Sequence, residues 1–313
     1  MFFGYIVFGS VVPYTLYSRI VDGILLNYPF LTVPLFIYMG GMLERSGIAE
    51  KLFDAFYVWL GGLRGGLALL TMLIGTIMAA TVGIIAASVS SLTVVALPAM
   101  VKRGYSNSLA SGTVCAAGCL GILIPPSIML VIYGPMAQIS VGKLFMGAFM
   151  PGFLLSALYM AYIAVASFLK PEIAPSVPES ERAQIPFSKK MTMLLSSMIP
   201  PVILVLSVLG VIFLGIAAPT EAAGIGALAA TLLVIVHRRF SFKVLRDVSL
   251  ETLKTCGFVN LIVVLGFAFV GVFIGSGAGD VLMQFILLTP GGKWVIFCVI
   301  MFIIFIMGFF QIS

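Results

Sequence analysis

The sequence predicts an all-α polytopic membrane protein, on three observations. Of 313 residues 61% are hydrophobic and only 9% charged, with a mean hydropathy of +1.22. That leaves too little polar surface to cover a soluble domain of this size. From Gly65 to Val101 no side chain is charged, and Arg64 and Lys102-Arg103 bracket the stretch. It is too long for one ordinary span and fits a segment that enters the bilayer, turns and leaves by the same face. Soon after, Gly118-Cys119-Leu120-Gly121-Ile122-Leu123-Ile124-Pro125-Pro126-Ser127 interrupts a second apolar run. Irregular backbone at membrane depth is tolerated only where protein or a watery cavity covers it, so two neighbouring breaks mark an ion or solute site near the midplane.

Read as helices, the apolar runs fall at 2–18, 30–44, the hairpin 65–101, a broken helix 107–137, then 149–169, 191–214, 219–236, 257–275 and a last run from 294. With the N-terminus inside, only Arg19, Lys143 and Lys293 of the 17 basic residues fall outside. That bias sets the orientation. It also requires an even number of passes across 65–101, which a re-entrant hairpin or two thin complete spans would satisfy equally.

The stretch Lys170 to Lys190 carries Pro171, Pro175, Pro178 and Pro186 among Glu and Ser, and reads as a polar cytoplasmic connection. It divides the chain into 1–169 and 191–313. Ser46-Gly47-Ile48-Ala49-Glu50-Lys51-Leu52 resembles Ser276-Gly277-Ala278-Gly279-Asp280-Val281-Leu282. Each copy follows an apolar span and precedes a short amphipathic piece, a Gly-Gly pair and another apolar run. The loop charges place the first copy inside and the second outside, the pattern of an inverted repeat.

Within the hairpin Gly83 suits a turn, with the hydroxyls of Thr81, Ser88, Ser90 and Ser91 nearby. Small residues at a helix contact produce the same pattern. At the second break Pro125 and Pro126 remove two backbone donors and free upstream carbonyls. Carbonyls and hydroxyls are hard oxygen ligands, suited to an alkali cation rather than a transition metal. A plain proline kink gives the same break. Glu221, after Pro219 and Thr220, is the one acid well inside 191–236. Its position fits helix capping and packing, or contact with an ion. Asn260 reads as an interhelical hydrogen-bonding residue.

These motifs, with Leu97-Pro98-Ala99-Met100-Val101-Lys102-Arg103-Gly104-Tyr105, Thr32-Val33-Pro34-Leu35-Phe36-Ile37, Gly40-Gly41-Met42-Leu43 and Ala218 to Ala223, resemble the large membrane subunit of tripartite ATP-independent periplasmic (TRAP) transporters. The resemblance runs over nearly the whole chain. It implies an elevator-type transporter with inverted repeats and re-entrant hairpins in the bacterial inner membrane. It also implies sodium-driven import of organic carboxylates of the C4-dicarboxylate or sugar-acid type. Its partners would be a small membrane subunit and a periplasmic substrate-binding protein. Carried onto this chain, the ion and substrate positions are Thr81, Gly83 and Ser88 at the hairpin tip, and Gly118, Cys119, Gly121, Pro125, Pro126 and Ser127 at the break. Na⁺ would lie near Gly83 and Gly118 to Pro125, with Thr220 and Glu221 structural or in ion contact; no cofactor is implied. The family is commonly richer in Ser and Thr at both breaks than Val82-Gly83-Ile84-Ile85 and Ala117 to Cys119, so backbone carbonyls would supply more of the coordination. A second hairpin would be reaching its tip at Gly308 to Ser313. On that reading the second repeat is incomplete, and these 313 residues are expected to insert but not to transport alone.

Other classes fit less well. The basic residues sit in short inter-span loops, which explains the net charge of +6 without nucleic acid. The only histidine, His237, lies in a basic loop remote from the serines, so a hydrolase lacks its base. Gly275-Ser276-Gly277-Ala278-Gly279-Asp280 lacks the Lys and spacing of a phosphate-binding loop. Cys115, Cys119, Cys256 and Cys298 lie in or beside apolar runs and read as packed thiols. The remaining rivals are a non-transporting remnant that binds its partner subunit and a sodium/carboxylate carrier of a related elevator family.

Overall fold

In the computed structural model residues 6, 9, 17–18, 20–83, 85–176, 186–288 and 292–310 are described, and every regular element among them is helical. The chain divides into two compact units: Asn27–Val259, and Met1–Leu26 with Asn260–Ser313. The expected span at 2–18 lies outside the described residues, apart from a few isolated positions.

In the larger unit, α1 (Thr32–Arg45) follows a 3₁₀ turn at Tyr28–Leu31. It stops at Ser46, whose hydroxyl donates to the Leu43 carbonyl and accepts the Ile48 N–H. Gly47, at φ 72°, turns the chain into α2 (Ile48–Leu60). That helix buries Ile48, Leu52, Phe53 and Phe56 and exposes Glu50, Lys51 and Asp54. At about 20 Å it is too short to cross and carries its charges along one side, the character of a surface helix.

The uncharged stretch forms two helices, α3 (Gly66–Val82) and α4 (Ile85–Lys102), separated by a turn at Gly83. Next come α5 (Asn107–Leu123) and α6 (Ile128–Ala137), divided where the proline pair was expected to break the run. Beyond them lie α7 (Val141–Leu169), α8 (Phe187–Val205), which continues through one π turn to Phe213, and α9 (Pro219–Val236). Two helices start eight or more residues earlier than expected. α7 begins at Val141 rather than 149, because the lone Lys143 in its first turn is exposed and keeps its charge outward. α10 (Phe242–Gly275) begins at 242 rather than 257. Its early turns hold Lys243, Arg246, Asp247, Glu251 and Lys254, which are compatible with helix but not with hydrocarbon. A helix of this length spans about 51 Å, well beyond the roughly 30 Å apolar layer, so those turns extend past it.

Small residues set the packing of this unit. A Cβ on Gly226 of α9 would come 2.6 Å from Met39 Sδ of α1. The same helix pair shares the Tyr38–Thr231 hydrogen bond of 3.1 Å. Gly75 of α3 faces Ala117 of α5, and Gly118 of α5 faces Val89 of α4, with room for no side chain at either glycine. A buried Thr76–Ser156 hydrogen bond of 2.6 Å joins α3 to α7. The connection after α7 begins with a short turn at Pro171–Ile173. The Ile173 and Ala174 carbonyls accept the N–H groups of Ser106 and Gly65, each at 3.0 Å, tying the connection to the base of the hairpin and the start of α5. Its residues 177–185 lie outside the described set.

In the other unit, the end of α10 leads through Ser276 and Gly277 into α11 (Ala278–Leu287), followed by α12 (Gly292–Phe310). Gly277 has φ 73°, and the Ser276 hydroxyl donates to the Phe273 carbonyl at 2.8 Å. This repeats the Ser46-Gly47 corner residue for residue. Cys256 is buried, whereas Cys115, Cys119 and Cys298 are exposed on outward helix faces, against the expectation that all four are packed.

Candidate functional site

The hairpin turns at Gly83 because α3 ends there in the left-handed region, φ 65° and ψ 7°, which costs glycine nothing. Ile84 lies outside the described residues. Space demands glycine as well as angle. A Cβ at 83 would fall 2.6 Å from the Pro126 carbonyl oxygen and 3.8 Å from the Ile128 nitrogen. The hairpin tip therefore rests on the break between α5 and α6, bringing together the two features singled out in the sequence.

At the break, Ile124 is extended at φ −84° and ψ 121°, and its N–H still reaches the Leu120 carbonyl at 2.9 Å. Pro125 and Pro126, joined by a cis peptide bond, carry no N–H, so the carbonyls of Gly121 and Ile122 receive none from the positions four residues on. Ser127 is extended too, and its carbonyl accepts the Val131 N–H at 3.1 Å to begin α6. Ile124 to Ile128 are all buried. Gly152 of α7 lets Ile124 approach so closely that a Cβ there would sit 2.8 Å from it, and this contact holds the irregular segment in place.

The hydroxyls of Ser88 and Ser127 are both completely buried and have no hydrogen-bond partner among the described residues. A buried unpaired hydroxyl costs about 1–3 kcal/mol, so such groups call for a ligand or for strain. Ser88 immediately precedes Val89, which packs on Gly118. Thr81 differs, for its hydroxyl donates to the Met78 carbonyl at 2.9 Å within its own helix. Gly118 and Gly121 lie on the buried face of α5, whereas Cys119 is exposed. No group of three His, Cys, Asp or Glu side chains that would hold a metal occurs among the described residues. The donors gathered at the tip and break are hydroxyl and carbonyl oxygens, which fit a hard monovalent cation.

Thr220 and Glu221 lie elsewhere. Glu221 is exposed and its carboxylate accepts the Ala218 N–H at 3.0 Å, which is helix-start capping. Thr220 is buried and lines a separate cavity of about 360 Å³ with Tyr28, Gly134, Gln138 and Ser140. Sequence reasoning missed the role of Tyr105, which closes the hairpin base. Its hydroxyl accepts the Leu67 N–H at 3.2 Å, and burial pushes its pKa up to about 12. The only sequence signal was a tyrosine beside a basic pair, which is too common to single out.

The family model described as "Tripartite ATP-independent periplasmic transporter, DctM component" matches residues 1–311. A relative from Pseudomonas aeruginosa, "C4-dicarboxylate TRAP transporter large permease protein DctM", is 34% identical over 230 residues, covering 73% of this chain and 52% of its own length. The "Isethionate TRAP transporter permease protein DctMQ" of Oleidesulfovibrio alaskensis is 32% identical over 288 residues, covering 91% and 44%. The "Ectoine/5-hydroxyectoine TRAP transporter large permease protein UehC" of Ruegeria pomeroyi is 32% identical over 250 residues, covering 79% and 54%. The chain spans about half the length of the curated relatives it matches.

Proposed function

This chain belongs to the DctM component family of tripartite ATP-independent periplasmic transporters, and from that premise we propose that it carries the ion and substrate site of a sodium-coupled importer of organic carboxylates. It is a multi-pass permease protein of the inner membrane, and a permease is not an enzyme. The observation that supports the reading most is the seating of Gly83 on the Pro126 carbonyl, next to Ser127 in the chain, whose buried hydroxyl has no partner among the described residues, as is also true of Ser88 in α4. Sodium, the co-transported ion, would be held by those hydroxyls and by the carbonyls that Pro125 and Pro126 leave free. The substrate carboxylate would lie alongside, its charge offset by the cation.

The hairpin and the broken helix would then move as one body in an elevator motion. The support for this is backbone-to-backbone contact at the tip together with the Gly75–Ala117 and Gly118–Val89 contacts, which leave no slack for sliding. The tripartite description of the family supports a small membrane subunit and a periplasmic binding protein as partners. The relatives' names include a C4-dicarboxylate, isethionate and ectoine; for this chain we favour an organic carboxylate of the C4-dicarboxylate or sugar-acid type. Proteoliposomes holding the complete operon product, supplied with its binding protein and a panel of labelled carboxylates, test the reading. Uptake of one carboxylate only under an inward sodium gradient is expected, and equal uptake without sodium would contradict it.

A further inference from the structure

Cys115 and Cys119 stand four residues apart on α5, both exposed, and the ion and substrate site makes no use of their thiols. Positions i and i+4 lie one above the other on a helix face, with Cβ atoms about 5–6 Å apart. The packing of α5 is carried by its other side: Ala117 meets Gly75, Gly118 meets Val89, and Ala117 and Gly118 are both buried. Around the two thiols the face carries little bulk. Gly112, one turn before Cys115, has nothing within 4 Å of where a Cβ would stand, and Ala116 adds only a methyl group.

The spacing decides what the pair can hold. A disulfide needs its Cβ atoms about 3.5–4.5 Å apart, so these two sulfurs cannot join directly without moving the helix backbone. One interposed atom closes the gap, because two bonds of the length found in zinc thiolates, about 2.3 Å each, span it. Which atom fits follows from charge and ligand count. Cys115 and Cys119 lie about 12 and 18 Å along the helix from Asn107, within an apolar span, where a net charge is costly.

Zinc takes four ligands, and no group of three His, Cys, Asp or Glu occurs among the described residues. A soft monovalent ion such as Cu(I) suits sulfur but leaves one negative charge uncompensated on two thiolates. Hg(II) gives a neutral product, yet it also takes single thiols and so does not select a pair. Trivalent arsenic bearing one organic group needs both sulfurs and stays neutral. We propose that Cys115 and Cys119 form a dithiol site for trivalent organoarsenicals. The step is a condensation without change of oxidation state: R–As=O and two thiols give R–As(S–Cys)₂ and one water. Two As–S bonds replace the As=O bond, and the two thiol protons leave with the oxygen.

Intact-mass spectrometry of the reduced, detergent-solubilised chain treated with phenylarsine oxide in excess glutathione tests the proposal. Wild type is expected to gain one phenylarsenic bridge, held against the monothiol and removed by 2,3-dimercaptopropanol. No Lys or Arg lies between Arg103 and Lys143, so the bridge should map to the tryptic peptide 104–143, which holds both cysteines. Cys115→Ser and Cys119→Ser each leave one thiol and are expected to lower the yield of adduct at least tenfold. Serine is close to cysteine in size and both positions are exposed, so neither change disturbs the packed side of α5. Cys256→Ser and Cys298→Ser are expected to take up arsenic as wild type does. A wild-type yield of adduct on Cys115→Ser or Cys119→Ser would overturn the site. So would a bridge outside 104–143, or none on wild type.

Discussion

Gly83 and Pro126 meet backbone to backbone: the tip of the hairpin has no room for even a methyl group beneath the Pro126 carbonyl, since a Cβ would come to 2.6 Å from it. Two penalties combine at this position. A left-handed conformation costs a non-glycine residue roughly 1–2 kcal/mol, and forced overpacking costs typically 1–3 kcal/mol more. Gly83→Ala is therefore expected to lower the thermal unfolding midpoint of the detergent-solubilised chain while leaving membrane insertion intact. A midpoint equal to wild type would mean that the tip does not rest on the break.

Replacing Ser127 separates packing from binding. Ser127→Ala removes a completely buried hydroxyl that has no partner, so in sodium-free buffer stability should stay level or rise by about 1 kcal/mol. Sodium affinity of the complete transporter should fall in the same variant. A loss of stability with unchanged sodium dependence of uptake would assign Ser127 to the scaffold instead. The same reasoning applies to Ser88→Ala.

The hairpin should present both ends to the cytoplasm. Cysteines placed at Arg64 and Lys102, in a background lacking the exposed Cys115, Cys119 and Cys298, are expected to react with an impermeant thiol reagent only after the cells are permeabilised. Labelling of either position in intact spheroplasts would reverse the orientation or split the hairpin into unpaired spans.

Much of this was legible in the sequence because backbone chemistry announces itself. Gly83 and the Pro125-Pro126 pair interrupt otherwise uncharged runs, and the structure breaks its helices at both. The paired Ser-Gly corners at 46–47 and 276–277 were visible for the same reason. Helix starts were less legible where charge and helix part company. Lys143 and the charged residues from Lys243 to Lys254 lie outside the apolar runs 149–169 and 257–275, yet the helices run through them because a charge excludes a residue from lipid and not from a helix. Contacts between distant residues left no pattern at all. The seating of Gly83 on Pro126, the Thr76–Ser156 bond and the Tyr105 latch depend on how faces meet in three dimensions.

That latch gives a further expectation. Tyr105→Phe leaves the buried Leu67 N–H without its acceptor, which should cost about 1–3 kcal/mol and be seen as a lower unfolding midpoint. Glu251→Gln is the contrast. Its ion pair with Arg45 measures 2.7 Å, but the two side chains are 38% and 56% exposed, so the change should stay below about 1 kcal/mol. A larger effect at Glu251 than at Tyr105 would show that surface charge, not the buried donor, secures this end of the molecule.

The most direct test is sodium-gradient-driven uptake by the complete transporter in proteoliposomes, with wild type compared with Gly83→Leu and Pro125→Ala at equal protein levels. Leucine cannot occupy the tip, and alanine at 125 restores a donor that recaptures the Gly121 carbonyl, so both variants should insert normally and lose sodium-dependent uptake. Uptake in both variants with the sodium dependence of wild type would show that the hairpin turn and the proline break are packing features rather than the site.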